Sequence, residues 1–389
     1  MPLRTLAIAF LCLAVAGCGS GATGSGRHGS ERASSAAASS ASSAASAASA
    51  ASASSARRAP ALLAGWVDQP VTFVAGGVTI YGTYRHPARP SGGLPAVLLI
   101  AGSGPTDRNG NTPDIPGAVD TLLTVAGWLS ADGVASLRYD KLGSGRTGLA
   151  HFRSDPAALG IEPYEQEAAA GLRFLAGQPG VDRRRLGIIG HSEGALFALL
   201  AAAHASGPAA PPVHVLGLLE PISRRYLDLI SEQIRDRTTA ALRARLLSAG
   251  EGAVIKRQLA TAIAALRATG QVPANLSGGL GSLFNPSTAT FLAEADRQDP
   301  ARLAARLPPH FPVLVSCSDA DIQVSCADVA HLLAGLRRAR ASTDLVRLHG
   351  VDHVLKLDPT RTSLDFGAPL PSSPQLRAAL SAFVTRHLR

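Results

Sequence analysis

A serine between glycines, a late histidine and two aspartates between them are the residues here whose types and order could do nucleophilic chemistry. The serine is Ser192, in Gly190-His191-Ser192-Glu193-Gly194. The apolar run Leu186-Gly187-Ile188-Ile189 leads into it, and an alanine- and leucine-rich helical pattern follows. Strand, sharp turn and helix with a serine at the tip is the pattern of a nucleophile elbow. Gly190 and Gly194 remove the side chains that would collide where strand and helix pack closely. A pentapeptide of this kind also arises by chance, so the flanking strand and helix give it its weight. A serine so placed needs three further parts: a histidine, an acid and donors for an oxyanion.

In elbow chemistry the acid and then the histidine follow the serine in the chain. The apolar stretch 313–315 runs into Cys317-Ser318-Asp319-Ala320-Asp321-Ile322-Gln323-Val324, which puts two carboxylates on one loop. Further on comes Leu348-His349-Gly350-Val351-Asp352-His353-Val354. His353 lies in the loop after a strand and is the candidate base, while His349 sits nearer the strand and reads as structural. Asp352 adjoins His353, and adjacent side chains diverge, so the acid is Asp321 or Asp319. In such a set Ser192 attacks a carbonyl carbon, His353 takes its proton and passes it to the leaving group, and the acid orients the imidazole. The oxyanion needs backbone N–H groups. Glu193 supplies one as the residue after the nucleophile, and the loop after residues 97–100 supplies the other, from Ser103 or alternatively Gly104.

These residues need a scaffold that brings strand ends together. Residues 71–74 and 78–84, joined by Gly76-Gly77, read as a β-hairpin. Residues 95–101 are a continuous apolar run, as in a strand buried on both faces. A helical pattern over 119–129, a strand at 134–139, a helix at 164–176, the elbow strand with its helix, and a strand at 213–219 follow. This alternation predicts an α/β fold, a mostly parallel sheet with helices on both faces and ligands bound at the strands' carboxyl ends. From 222 to 307 the alternation stops. Helical patterns at 226–247, 254–268 and 291–307, the last broken near Asp299-Pro300, predict a helical cap inserted into the sheet domain. The rhythm resumes with a strand at 311–316, a helix at 327–338, a strand at 344–348 and a helix at 375–387.

The motifs together resemble the α/β-hydrolase superfamily, and more narrowly bacterial secreted hydrolases with serine-aminopeptidase-like or esterase domains. The resemblance rests on Gly102-Ser103-Gly104-Pro105-Thr106-Asp107-Arg108, on Arg138-Tyr139-Asp140-Lys141-Leu142-Gly143, and on the elbow. It continues in Asp321-Ile322-Gln323-Val324 and Asp352-His353-Val354, all in consistent order over residues 70–389. It implies the α/β-hydrolase fold, Asp321 as acid and His353 as base. Cys317-Ser318 stands where many relatives have glycine, which keeps Asp319 as the second choice. Asp107 and Arg108 read as a local ion pair or as solvated, Asp140 as a loop residue, and His191 as packing.

The first residues carry Arg4 and then an apolar run from Leu6 to Val15, too short for a comfortable membrane span. The run ends in Leu13-Ala14-Val15-Ala16-Gly17-Cys18, which resembles a bacterial lipobox. That implies a signal peptide over 1–17, lipid on Cys18 and an extracytoplasmic protein. With Gly19 following, it also implies outer-membrane sorting in a Gram-negative cell. Residues 18–61 are Gly/Ala/Ser-rich with no recurring apolar face, a disordered tether of about 35–40 Å root-mean-square span. The hydrolase core is then expected at 62–221 and 308–389, with the cap at 222–307. Beyond Cys12 and Cys18, the chain's remaining cysteines are Cys317 and Cys326. They either bridge across a short loop or stay as two buried thiols.

A net charge of +9 comes with only 4% aromatic residues and no basic block interleaved with aromatics, so nucleic acid is not an expected partner. No metal-ligand spacing, phosphate loop or dinucleotide fingerprint occurs, so neither metal nor cofactor is expected. The expected function is hydrolysis of a carboxylic ester with a small or medium acyl group. The alternative is an aminopeptidase-like amide hydrolase, for which Glu220 or a cap carboxylate would supply an acidic subsite. A reading from another class is a non-catalytic, surface-anchored binding lipoprotein on a hydrolase scaffold. The presence of every catalytic part argues against it.

Overall fold

The structure, a computed structural model, describes residues 65–89, 92–204, 211–358, 360–362 and 365–389. The leader, Cys18 and the whole of the tether lie outside them. Strands β1 (Trp66–Ala75) and β2 (Val78–Pro87) form the expected hairpin, with β1 longer at both ends and β2 at its far end than the apolar pattern suggests. Gly76 and Gly77 have φ of 53° and 78°, the two left-handed residues that a twisted two-residue hairpin turn requires.

The remaining strands are β3 (Leu94–Ile100), β4 (Ala135–Tyr139), β5 (Val181–His191), β6 (Val215–Leu219), β7 (Pro312–Ser318) and β8 (Ser342–Leu348). They build one eight-stranded sheet in the order β1-β2-β4-β3-β5-β6-β7-β8. The hairpin joins it antiparallel through β2 and β4, and every other pairing is parallel. Along β3, Leu98 and Ile100 enter one apolar core, and Val97 and Leu99 enter another on the opposite face. That period of two explains why this strand is apolar throughout.

Helices α1 (Thr121–Ala131), α2 (Glu162–Ala176) and α3 (Glu193–His204) cross between the parallel strands. Between β6 and β7, no strand interrupts α4 (Tyr226–Arg243), α5 (Ala249–Thr269), α6 (Leu280–Leu283), α7 (Pro286–Arg297) and α8 (Pro300–Ala304). Asp296, buried on α7, binds the side chains of Arg225 and Arg267 and the Leu227 amide at 2.5–3.0 Å. One carboxylate thus ties α4, α5 and α7 together. The expected break falls at Asp299, whose side chain caps α8 by accepting from the Ala301 amide at 2.9 Å. Leu227, Ile230, Leu259 and Phe291 of this helical stretch share one core with the sheet.

Helices α9 (Cys326–Ala339) and α10 (Pro374–Leu388) complete the chain. α10 packs with α1 on the opposite sheet face through Leu376, Leu380 and Phe383. Among the described residues, no helix is long and apolar enough to cross a membrane.

Candidate active site

β5 delivers the chain to Ser192, whose φ of 54° is left-handed, and α3 starts at the next residue. A Cβ on Gly190 would come within 2.1 Å of the Gly194 carbonyl oxygen, and one on Gly194 within 2.3 Å of the Ile100 carbonyl oxygen. The elbow glycines are therefore required by backbone contact. The Ser192 amide donates to the Leu219 carbonyl at 2.9 Å, which pins the turn to the end of β6.

The structure brings Ser192, His353 and Asp321 together. His353 Nε2 lies 3.0 Å from Ser192 Oγ, and its Nδ1 lies 2.7 Å from Asp321 Oδ2. The Asp321 side chain is completely buried, and its Oδ1 accepts the amides of Gln323 and Val324 at 2.7 and 3.0 Å. Burial raises its pKa, but the facing imidazole and the two amides more than offset that and hold it below the usual aspartate value. The ionised Asp321 accepts a hydrogen bond from Nδ1–H, which leaves Nε2 as acceptor for the serine hydroxyl.

Asp319 points elsewhere. It accepts the Gly350 amide at 2.8 Å and pairs with exposed His349 at 3.1 Å, so it braces the two loops from outside. Asp352 is engaged elsewhere too, accepting the Val354 and Lys356 amides at 3.0 and 2.7 Å within the loop that carries His353. The amine of Lys356 anchors that loop, donating to the carbonyls of Ala118, Phe366 and Ala368 at 2.8–3.0 Å.

Several supporting side chains were assigned other roles by the sequence, or none. His191 is more than packing: its Nε2 lies 2.7 Å from the His353 carbonyl oxygen and holds the base loop. Burial lowers its pKa to about 3, so it stays neutral and Nε2 carries the donated proton. Glu193, expected only as an amide donor, buries its carboxylate against Lys141 at 2.9 Å, and Tyr226 O–H of α4 donates to it as well. Lys141 Nζ also reaches the Gly104 carbonyl at 3.4 Å, so one amine joins the loops on both sides of Ser192. Arg108 pairs with Asp140 rather than Asp107, at 2.6 and 3.0 Å in a two-point contact.

Glu220 is fully buried at the end of β6, and its Oε1 accepts from Ser316 Oγ at 3.1 Å. Burial, and then the charge of Asp321, raise its carboxyl well above the usual glutamate value. It is sealed behind the acid and lines neither cavity beside Ser192, so the acidic subsite expected of it is absent.

Those two cavities meet at Ser192, Ser103 and Gln323. A Cβ on Gly102 would lie 3.3 Å from the Ser192 Cβ, which places the loop after β3 against Ser192. Ser103 lines both cavities and Gly104 lines neither. Glu193 opens α3, and first-turn amides have no acceptor within their own helix. Ser103 beside Ser192 and Glu193 directly after it are thus the residues whose backbone lies next to the serine.

Cys317 at the end of β7 and Cys326 at the start of α9 form a disulfide with a Cα separation of 5.1 Å. It brackets the loop that carries Asp321. Among the described residues, no group of three or more His, Cys, Asp or Glu side chains is placed to hold a metal ion.

This sheet order, the elbow after β5 and the helical insertion after β6 define an α/β-hydrolase fold. Solved structures agree. A variant of the esterase rPPE aligns over 88% of both chains with a TM-score of 0.52 and 17% identity. A thermostable esterase from Pseudomonas putida aligns over 84% of this chain and 85% of its own, with a TM-score of 0.50 and 17% identity. An esterase from Pyrococcus furiosus covers 83% of this chain and 92% of its own, with a TM-score of 0.50 and 13% identity. No protein-family model matches the chain, and no curated sequence matches it significantly.

Proposed function

We propose that this chain is a serine hydrolase that cleaves carboxylic esters through an acyl-enzyme. One observation carries the reading: the continuous path from Ser192 Oγ to His353 at 3.0 Å and from His353 to buried Asp321 at 2.7 Å. In this reading Ser192 attacks the ester carbonyl carbon while His353 removes its proton. The tetrahedral oxyanion rests on the Ser103 and Glu193 amides. The C–O bond to the alcohol then breaks, with the proton passing from His353 to the departing oxygen. Water repeats the sequence on the acyl-serine and releases the acid.

Ester is favoured over free-amine peptide because, among the described residues, no carboxylate lines either cavity beside Ser192 to receive an ammonium group. The lipobox resemblance further supports an extracytoplasmic enzyme held to a bacterial membrane by lipid on Cys18, with 18–61 as its tether. The test is a panel of p-nitrophenyl esters and aminoacyl anilides with the parent chain and Ser192→Ala. Hydrolysis of esters that vanishes in the variant supports the reading. Full ester activity in Ser192→Ala, or turnover of anilides alone, would sink it.

A further inference from the structure

Glu220 is costly to the fold in two ways. Its φ of 43° is left-handed, a conformation that a residue with a side chain adopts only under strain. Its carboxyl is fully buried, away from the water that would solvate a charge. The chain on either side is tied to the serine. The Leu219 carbonyl accepts the Ser192 amide at 2.9 Å, and the Ile222 amide donates to the Ser192 carbonyl at 3.2 Å. Glu220 is therefore held in place at the end of β6, beside Asp321.

The neighbours of this carboxyl decide its state. Oε1 accepts from Ser316 Oγ at 3.1 Å, and Oε2 is buried with no donor satisfying it. The Ser318 amide lies near the carboxyl, and the Asp321 carboxyl is within hydrogen-bonding reach of it. Two ionised carboxylates only accept, so they share a hydrogen bond only when one of them holds a proton. Asp321 is the one that stays ionised, because His353 Nδ1 and the Gln323 and Val324 amides all aim donors at it. Glu220 has the weaker set, a serine hydroxyl and one amide with no imidazole, so the proton belongs on Glu220. Burial and the Asp321 charge both raise its carboxyl in that direction. The other titratable group near the pair is His191 of β5, which burial holds neutral with a pKa of about 3.

Resting on the ester-hydrolase reading, we infer that Glu220 is a positioning residue: a neutral carboxylic acid that donates a hydrogen bond to Asp321, fixes that carboxylate for His353 and keeps a single negative charge behind the imidazole. A second charge there would favour the imidazolium and hold His353 back from acting as base. An apolar residue there would leave Asp321 short of one donor.

The test uses the full chain with Glu220→Gln and Glu220→Leu, circular dichroism confirming the fold. kcat/KM for p-nitrophenyl acetate is followed against pH, where the acid limb reports the base. Glu220→Leu leaves the Asp321 charge unshared, so the limb should rise by roughly half to one pH unit and kcat should fall about tenfold. Glu220→Gln keeps the shape and an N–H donor. It should restore most of that turnover and hold the limb within about 0.3 pH units of the parent. A limb that falls by about one pH unit in Glu220→Gln would mean that the glutamate is ionised. A limb unmoved in Glu220→Leu would mean that Glu220 only packs. Either result overturns the inference and leaves the hydrolase reading intact. Infrared difference spectra at neutral pH read the proton without turnover. A carboxylic-acid carbonyl band lost in Glu220→Gln is expected, and no lost band overturns the inference. If the parent chain cleaves no ester, the hydrolase reading fails, and the infrared band still decides the state of Glu220.

Discussion

Ser192 is held by its neighbours in the chain, whereas His353 and Asp321 are held by residues scattered along it. The serine's left-handed φ of 54° is enforced by two glycines within two residues of it, each touching backbone at little over 2 Å if given a side chain. The histidine depends on His191 across 162 residues and on Lys356, whose carbonyl partners include Ala118. The acid depends on a disulfide and on two amides of its own turn. The half around Ser192 is therefore a rigid local motif that fails as a unit. The acid–base half is an assembly that should fail in grades.

The largest effect is expected at the elbow. Gly194→Ala should lose folded protein and activity together, because the clash is with the Ile100 carbonyl and no flexible side chain can yield. Circular dichroism and ester turnover should fall in parallel, and a folded, active variant would break the contrast.

In the other half, His353→Ala should lose on the order of 10⁶ in kcat, and Asp321→Ala on the order of 10⁴, each with the fold retained. Equal losses would mean that Asp321 does more than orient the imidazole.

Lys141→Met tests the bridge between the elbow and the loop after β3. Removing one partner of its buried pair with Glu193 should destabilise by about 3–5 kcal/mol. A Lys141→Met/Glu193→Gln double variant should recover stability, as read by urea unfolding. It should still lose roughly a hundredfold in kcat if the pair positions oxyanion donors.

Reduction of Cys317–Cys326 should cost about 2–3 kcal/mol, as expected for so short a loop. Activity should decline with it, since the loop carries Asp321.

The last effect is a pH slope. Burial raises the Glu167 carboxyl to about 8 from an ordinary 4.5. The folded state then binds the proton more tightly than the unfolded state. Stability from this group is complete below about 4.5 and is lost as pH rises toward 8. Glu167→Gln should flatten the fall in Tm over that window, and an unchanged slope would contradict it.

The same contrast explains what the sequence made legible. The elbow, the hairpin turn at Gly76-Gly77 and the Asp299-Pro300 break are local, and short-range sterics write them into adjacent residues. Asp319 and Asp321 could not be separated by spacing alone. Two residues on one loop differ only in which way the turn faces, and that is set by the Gln323 and Val324 amides and by β8 alongside. Arg108–Asp140, Lys141–Glu193 and Glu220 behind Asp321 are contacts across 32, 52 and about 100 residues. Only the assembled sheet brings such groups together. The motif Arg138-Tyr139-Asp140-Lys141 held a signal, since charged residues at a buried strand's end need partners.

The central claim is that Ser192 is a nucleophile activated by His353. A fluorophosphonate probe applied to the full chain, followed by peptide mapping, reads this directly. A single adduct on Ser192, slowed by orders of magnitude in His353→Ala, is the predicted result. Labelling elsewhere, or labelling of Ser192 at the same rate without His353, would contradict it.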